Sequence, residues 1–258
     1  MLHLKRETEK VWVFTTTYNQ GWWLPYFFKH YRFADQIVVY DNGSTDDTKE
    51  VCEKFDAEIH DLPSVGFDEN VLINCRNSAW KSAKGKADWV IIVYPDELVD
   101  NPSGRAATIV AVRVYEMFGF PSSPSPGTPN DWYSKSCVFR PDAITEISFS
   151  PGCHVASPSG EIKWDGMPCY HTDPKIKEYI GVDRYIAIYN CDPKYSDLRL
   201  LHYRYLHGID KVIERWTASK IRLQEAGAGG DIAYQYKYDP HVVLRYFEKL
   251  ATYAKIIA

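Results

Sequence analysis

The chain has 258 residues, which is enough for one large domain or two small ones with a packed core. It carries 30 basic and 34 acidic residues, and the net charge of −4 excludes the basic footprint of a nucleic-acid-binding domain. The six cysteines lack Cys-x-x-Cys spacing, so we expect reduced thiols in a cytoplasmic protein rather than a zinc finger. No apolar run approaches the ~20 residues of a membrane span, and the first ten residues do not resemble a secretory signal.

The first hundred residues alternate between strand and helix patterns. Pro25 lies in the first turn of the first predicted helix, Ser44 or Thr45 would cap the second, and Asp68 would cap the third. Near-continuous apolar strands separated by helices predict an α/β fold with a mostly parallel central sheet flanked by helices. The predicted strands are 11–18, 37–40, 57–62 and 89–94, and the predicted helices are 21–32, a segment from about 46, and 68–84.

The pattern changes after Pro102. Strands are predicted within 105–120 and at 135–140 and 144–149, the last two paired around the Pro141-Asp142 turn. Residues 121–131 are rich in Pro, Gly and Ser and predict a loop without regular structure. Helices are predicted at 209–226 and 240–257. We expect residues 1–104 and 105–258 to form two halves of one compact domain.

Carboxylates follow two of the predicted strands. IVVYDNGSTDDT (37–48) delivers Asp41, and WVIIVYPDE (89–97) delivers Asp96 and Glu97. The carboxyl ends of parallel strands meet at one edge of a sheet, where ligands of α/β proteins bind. Carboxylates at such an edge suit a ribose, a base N–H group or a divalent cation. The alternative for Asp96-Glu97 is an ordinary surface loop after a buried strand.

The segments TTTYNQ (15–20), VVYDNGSTDDT (38–48), RNSAW (76–80) and WVIIVYPDE together resemble family 2 glycosyltransferases with the GT-A fold, of bacterial and viral type. The resemblance covers residues 11–100 and continues more loosely through 139–160 and 200–216. It implies a GT-A α/β domain with a donor-binding half, 1–104, and an acceptor-binding half, 105–258. It also implies sugar transfer from a nucleoside diphosphate-sugar to a glycan, lipid-linked or similar acceptor, assisted by Mn²⁺ or Mg²⁺.

The resemblance further implies a role for individual positions. It places the metal at Asp96 and Glu97, with His202 as a third ligand, although a core histidine is the alternative there. Tyr94 stands where the family has the first acid of Asp-x-Asp, and a neutral phenol cannot replace a carboxylate ligand. Either Asp96, Glu97 and His202 hold the metal, or metal dependence is weak. The implied donor-binding residues are Thr16, Tyr18, Asp41, Asn42, Ser44, Arg76, Asn77 and His154.

An inverting reaction, favoured by analogy, needs a carboxylate that deprotonates the acceptor hydroxyl. Asp131, Glu161 and Asp165 are the candidates, and the choice among them stays open because each is more often a solvated acid.

Two other functions are weighed. A sugar nucleotidyltransferase should carry a Gly-rich basic loop after the first strand, and TTTYNQGWW lacks one. Tyr94 leaves open a non-catalytic nucleotide- or sugar-binding protein on a degenerate GT-A scaffold.

The helix predicted at 240–257 is amphipathic, so it would either contact a membrane surface peripherally or pack on the domain.

Overall fold

The computed structural model describes residues 9–121, 125–130, 135–153, 156–166, 195–205, 208–226, 244–245, 248–249 and 251–256. The strand–helix alternation predicted for the first hundred residues is confirmed. A short 3₁₀ helix, Ala79–Ala83, prolongs the third helix. The elements are β1 (Val11–Thr17), α1 (Leu24–His30), β2 (Gln36–Asp41), α2 (Thr48–Lys54), β3 (Glu58–Asp61), α3 (Glu69–Ser78) and β4 (Trp89–Ile92).

One predicted helix cap is confirmed and one is wrong. The side chain of Asp68 accepts a hydrogen bond from the backbone N–H of Asn70 at 2.9 Å, as a cap of α3 should. Helix α2 begins only at Thr48, and neither Ser44 nor Thr45 caps it. The backbone N–H of Ser44 donates to Asp41 instead, which ties this residue to the end of β2.

The chain from Glu97 onward adds the remaining strands. Helix α4, Gly208–Glu225, lies between β12 and β13 in the chain and confirms the helix predicted at 209–226. None of the helices in the described ranges is long and apolar enough to cross a membrane. The strands are β5 (Glu97–Val99), β6 (Ile109–Met117), β7 (Pro126–Pro129), β8 (Lys135–Phe139), β9 (Ile144–Phe149), β10 (Ala156–Gly160), β11 (Trp164–Asp165), β12 (Arg199–His202) and β13 (Lys255–Ile256).

The central sheet has the order β13-β7-β6-β8-β4-β1-β2-β3. Strands β3, β2, β1 and β4 are parallel, as predicted from their apolar runs. Strand β8 joins β4 antiparallel and β6 joins β8 antiparallel, so β6 runs in the same direction as β4. Strand β12 runs parallel to β6. The carboxyl ends of β1, β2, β4, β6 and β12 therefore lie at the same edge of the sheet.

Three predictions for the second half are wrong. Strands β8 and β9 do not pair with each other, because β8 lies between β4 and β6 while β9 pairs with β10. The segment 121–131 contains β7, whose Pro126 needs no N–H to serve the sheet since its carbonyl accepts from the backbone of Phe118 at 2.8 Å. Residues 255–256 form β13 against β7 rather than the end of a helix.

Large apolar side chains cover both faces of the sheet and fix its position. Trp23, Phe27 and Trp89 are fully buried on the α1 side, and Trp80 and Phe139 are fully buried on the α3 side. Burial of each such side chain contributes about 2–3 kcal/mol to folding. The strand ends at the common edge are therefore held by a packed core on both faces.

Candidate functional site at the carboxyl edge of the sheet

Asp41 lies at the end of β2 and organises the turn that follows it. Its carboxylate, 1 % exposed, accepts hydrogen bonds from both the backbone N–H and the hydroxyl of Ser44. Ser44 Oγ in turn accepts from the backbone N–H of Asn19, at 2.8 Å, so the loops after β1 and β2 are joined. Lys49 Nζ lies 3.8 Å from Asp41 Oδ2. The predicted donor residues Asp41 and Ser44 thus form one hydrogen-bonded unit.

Arg222 of α4 meets the predicted nucleotide residues. Its guanidinium carbon lies 3.5 Å from the centre of the Tyr18 ring, the distance of a stacked pair. Its Nη2 donates to Asn42 Oδ1 at 2.6 Å and to the carbonyl oxygen of Gly66 at 2.8 Å. Asn42 Nδ2 donates onward to the carbonyl oxygen of Leu62 at 2.7 Å. Tyr18 and Asn42 are therefore brought together by a residue from the second half.

Tyr94 lies between two buried cations. The Arg76 guanidinium carbon is 4.4 Å and Lys135 Nζ is 5.0 Å from the centre of its ring. Arg76 also donates to Thr16 Oγ1 at 3.2 Å and to Glu69 Oε1 at 3.4 Å. Although burial lowers it, the pKa of Arg76 is raised because Tyr94 and Glu69 favour its charged form, so Arg76 remains a cation.

Glu97, predicted as a metal ligand, is engaged within the protein. Its side chain forms an ion pair with Lys135, and both residues are 2 % exposed. Its other oxygen, Oε2, accepts from the backbone N–H of Tyr94 at 2.9 Å. Both carboxylate oxygens of Glu97 therefore have partners, and the side chain supports the β4–β5 turn.

Asp96, the other acid of the β4–β5 turn, lies at the carboxyl edge of the sheet beside His202 and Arg215. Its Oδ2 lies 3.3 Å from Arg215 Nη1 and 3.8 Å from His202 Nε2. Its backbone carbonyl accepts from the N–H of Tyr203 at 2.8 Å, which connects the turn to the end of β12. Burial would raise the pKa of Asp96, but the charges of His202 and Arg215 outweigh burial and lower the pKa below its usual range. The carboxylate is therefore ionised.

His202 lies between two acids. Its Nδ1 is 3.0 Å from Oε1 of Glu116, which is fully buried in β6, and its Nε2 faces Asp96. Burial lowers the pKa of His202, but Glu116 and Asp96 together raise it to about 9. The sheet enforces the arrangement, since His202 is the register partner of Glu97 in β5 and of Glu116 in β6.

Helix α4 spans the edge from Asp96 to Tyr18. Arg215 and Arg222 are seven residues apart in α4, which is two turns on one face and about 10.5 Å along the axis. Strands β4 and β2 are separated by β1 alone, which is about 9.6 Å across the sheet. The two arginines therefore match the distance between the two strand ends that carry Asp96 and Asn42.

Three predicted residues lie elsewhere. Asn77 Oδ1 accepts from the N–H of Phe149 at 2.9 Å, so its side chain ties α3 to β9. Asp165 pairs with Arg105 at 2.5 Å and is the register partner of Val110, near the beginning of β6. Glu161 is exposed, and its N–H donates to the carbonyl of Ala143, on the turn between β8 and β9.

Asp165 and Glu161 thus lie toward the opposite edge of the sheet, because β6 and β4 begin there. Asp165 is six residues along β6 from Glu116, about 20 Å. This geometry does not bring either acid to the crevice. The predicted base Asp131 and the predicted donor residue His154 lie outside the described residues.

A protein-family model matches the N-terminal region, from β1 through the turn after β5. Residues 12–102 match the model of the glycosyl transferase family 2. This segment contains Thr16, Tyr18, Asp41, Arg76 and Asp96. We call residues 12–102 the family 2 segment, after the model that they match. The fold-class prediction of an α/β domain with a mostly parallel central sheet flanked by helices is confirmed by the sheet order.

Solved structures with some likeness to the chain include glucosyl-3-phosphoglycerate synthase from Mycobacterium tuberculosis. The complex of that enzyme with Mn²⁺, UDP and glucosyl-3-phosphoglycerate is 15% identical in sequence, with a TM-score of 0.35. The match covers 57% of this chain and 62% of the enzyme's chain. The complex with Mg²⁺ and UDP is 16% identical, with a TM-score of 0.30, and the match covers 42% of this chain and 44% of the enzyme's chain. The chain therefore spans less than two thirds of that enzyme's length. No curated protein matches the sequence significantly.

A divalent cation would find two ligands, Asp96 within the family 2 segment and His202 outside it. No three His, Cys, Asp or Glu side chains within the described ranges are grouped to hold a metal by themselves. Mg²⁺-type sites, however, often use one or two protein ligands and complete the shell with water and substrate phosphates. Asp96 Oδ2 and His202 Nε2, 3.8 Å apart, lie within the ~4.2 Å that two ligands of one such ion can span. The donor set is therefore suited to Mn²⁺ or Mg²⁺ bound together with a diphosphate.

Sequence reasoning missed the four charged residues that complete the site. Glu116 and Lys135 lie within apolar strands, and a charge in such a strand indicates a buried partner. Arg215 and Arg222 share a helix face, but their spacing alone did not show which surface they meet. The missed residues are Glu116, Lys135, Arg215 and Arg222.

Proposed function

We propose that this protein transfers a sugar from a nucleoside diphosphate-sugar to a hydroxyl acceptor, assisted by Mn²⁺ or Mg²⁺ at Asp96 and His202. The observation that carries the proposal is the position of Tyr18, Asp41 and Asp96 in the family 2 segment. They lie at or just after the carboxyl ends of three adjacent parallel strands, β1, β2 and β4, and this edge is where α/β proteins bind ligands.

The charges at this edge suit a diphosphate leaving group. Negative charge grows on the diphosphate as the glycosidic bond breaks, and fixed cations at that position lower the barrier. A bound divalent cation would supply further charge compensation there. Arg215 lies 3.3 Å from Asp96, one of the proposed metal ligands, and Arg76 of α3 contacts the Tyr94 ring in the same turn.

Tyr18 and Asp41 would receive the nucleoside. The ring of Tyr18 offers a stacking face for a base, and the Asp41 carboxylate, at the end of the neighbouring strand, accepts hydrogen bonds. Arg222 occupies one face of the ring and joins Asn42 to the loop at Gly66. The side chains from β1, β2 and α4 therefore supply the contacts for the donor in this proposal.

The acceptor in this proposal is a glycan, a lipid-linked sugar or a similar hydroxyl compound, and the outcome is inversion, as the family resemblance implies. Of the three predicted bases, Asp131 remains the candidate, because Glu161 and Asp165 lie toward the opposite edge of the sheet.

A second candidate function is nucleotide binding without transfer. The observation that favours it is the engagement of both Glu97 oxygens by Lys135 and the Tyr94 N–H, together with the phenol at position 94. Asp96 is then the one carboxylate of this turn that faces the proposed ligand. This candidate predicts nucleotide binding but no release of nucleoside diphosphate from any nucleotide sugar.

The test is calorimetric titration with UDP, GDP, CDP and ADP, each with and without Mn²⁺. One nucleotide should bind in a Mn²⁺-dependent manner to the wild type and to Asp100→Asn, a control whose carboxylate pairs with Arg199 on the surface. Asp96→Asn should weaken that binding at least tenfold. Equal Mn²⁺-dependent binding by Asp96→Asn would contradict the proposed site. Turnover of the matching nucleotide sugar then decides between transfer and binding alone.

A further inference from the structure

Glu116 is a buried acid that contacts polar side chains at the edge of the sheet. It is the eighth residue of β6 and is fully buried. Burial of a carboxylate is costly unless the group is paired and hydrogen-bonded, so the partners of Glu116 matter. Its Oε1 lies 3.0 Å from His202 Nδ1 and 3.4 Å from Asn130 Nδ2.

The two nitrogens of His202 face different groups. Nδ1 faces Glu116 within hydrogen-bond distance, and Nε2 faces Asp96 at 3.8 Å. In a neutral imidazole that donates from Nδ1 to a carboxylate, Nε2 carries the lone pair that can bind a metal. The Glu116 contact therefore selects the tautomer and the ring orientation that a ligand at the Asp96 side requires.

The backbone makes this orientation rigid. Strand β12 lies between β5 and β6, with His202 beside Glu116 in the parallel register of β6. Side chains that are neighbours across a sheet point to the same face. The backbone position of Glu116 is fixed as well, because β6 is also bonded to β7 and β8.

We propose that Glu116 is a positioning residue that holds His202 with Nε2 directed toward Asp96, so that His202 and Asp96 bind one divalent cation. The inference rests on the metal role of the proposed function. Glu116 acts through His202 and touches neither the cation nor the donor. Partners of this kind tune metal affinity by about 10–100-fold when they are removed.

The test compares two variants of similar side-chain size. Glu116→Gln keeps an oxygen that accepts from Nδ1–H, and Glu116→Met removes the acceptor. Free Mn²⁺ is counted by electron paramagnetic resonance in titrations without nucleotide. We expect Glu116→Gln to bind Mn²⁺ within about threefold of wild type, and Glu116→Met to bind 10–100-fold more weakly. Glu69→Met is the control, since Glu69 is a buried acid that contacts Arg76 instead of His202; it should leave Mn²⁺ affinity unchanged.

A second readout does not need the metal. Nitrogen-15 NMR above the pKa of about 9 reports which nitrogen of the neutral His202 carries the proton. Wild type and Glu116→Gln should show Nδ1–H with a bare Nε2, and Glu116→Met should shift toward Nε2–H. An unchanged tautomer in a folded Glu116→Met variant, or unchanged Mn²⁺ affinity, would overturn the inference. A wild type that binds no Mn²⁺ even with a nucleoside diphosphate present would instead contradict the metal role, while the tautomer still decides whether Glu116 positions His202.

Discussion

Arg222 stacks on Tyr18, with its guanidinium carbon 3.5 Å from the ring centre, although the two residues come from opposite ends of the described chain. The contact places the last turn of α4 on the loop that follows β1. The backbone carbonyl of Arg222 also accepts from the N–H of Phe67 at 2.9 Å. One residue of the second half therefore joins two loops of the family 2 segment.

Removal of the Arg222 guanidinium should loosen the loop around Gly66. Arg222→Met keeps the stem but loses hydrogen bonds to Asn42 and Gly66, and charged hydrogen bonds contribute about 1.5–3 kcal/mol each to stability. We expect a loss of about 2 kcal/mol or more in chemical denaturation, and faster hydrogen exchange at the Phe67 amide. Gln224→Met, an exposed change on α4, is the control. Equal stability of the two variants would contradict the joining role of Arg222.

Gly66 should tolerate no side chain, in contrast to Gly43. Both have positive φ, +61° and +81°, so both pay the left-handed strain of about 1–2 kcal/mol when replaced by alanine. A Cβ at Gly66 would also collide with the Arg222 carbonyl oxygen, whereas one at Gly43 meets nothing within 4 Å. Overpacking typically costs about 1–3 kcal/mol. In urea denaturation, Gly66→Ala should therefore have a free energy of unfolding lower than that of Gly43→Ala by about this amount. A smaller loss for Gly66→Ala than for Gly43→Ala would argue against the close approach of α4.

Replacing one partner of the buried pair Lys135–Glu97 should lower stability strongly, whereas replacing both should lower it little. Lys135→Met leaves the Glu97 carboxylate buried without its cation, which destabilises a protein by about 3–5 kcal/mol. The double variant Glu97→Gln/Lys135→Met should recover most of that loss, because no charge remains uncompensated. Lys81→Met breaks the exposed pair with Glu146 and should cost less than about 1 kcal/mol. A double variant no more stable than Lys135→Met would show that the pair is not the reason for the loss.

His202 should make stability depend on pH in the alkaline range. Its pKa is about 9 in the folded chain against about 6.5 in the unfolded chain, so the folded state holds the proton more tightly. Its contribution is complete below pH 6.5 and is lost as the pH rises through 9, at about 1.4 kcal/mol per pH unit between these values. The groups that face it are Asp96, Glu116 and Arg204.

The measurement is the free energy of unfolding of wild type minus that of His202→Gln, from pH 6 to 10 with a chelator present. The difference should shrink steadily between pH 6.5 and 9. A difference that is constant over this range would show that His202 is not held as a cation by the two acids.

The sequence by itself determined the first half of the fold. Apolar runs at β1, β2 and β4 can only be buried on both faces, and the helices between them force parallel connections, so Asp41 and Asp96 had to share an edge. The motif around Asp41 also determined the family resemblance, and residues 12–102 bear it out. These features are local, because each depends on a few consecutive residues and their period.

Only the tertiary structure decided which charges meet at that edge. Glu97 and Asp96 are neighbours in sequence, yet Lys135 from β8 engages one, while Arg215 and His202 approach the other. The pairing of β8 with β4 rather than β9 caused this, and no periodicity in 135–149 distinguishes those two pairings. Charge partners separated by 38 to 119 residues are fixed by strand order and helix docking, which a local pattern does not encode.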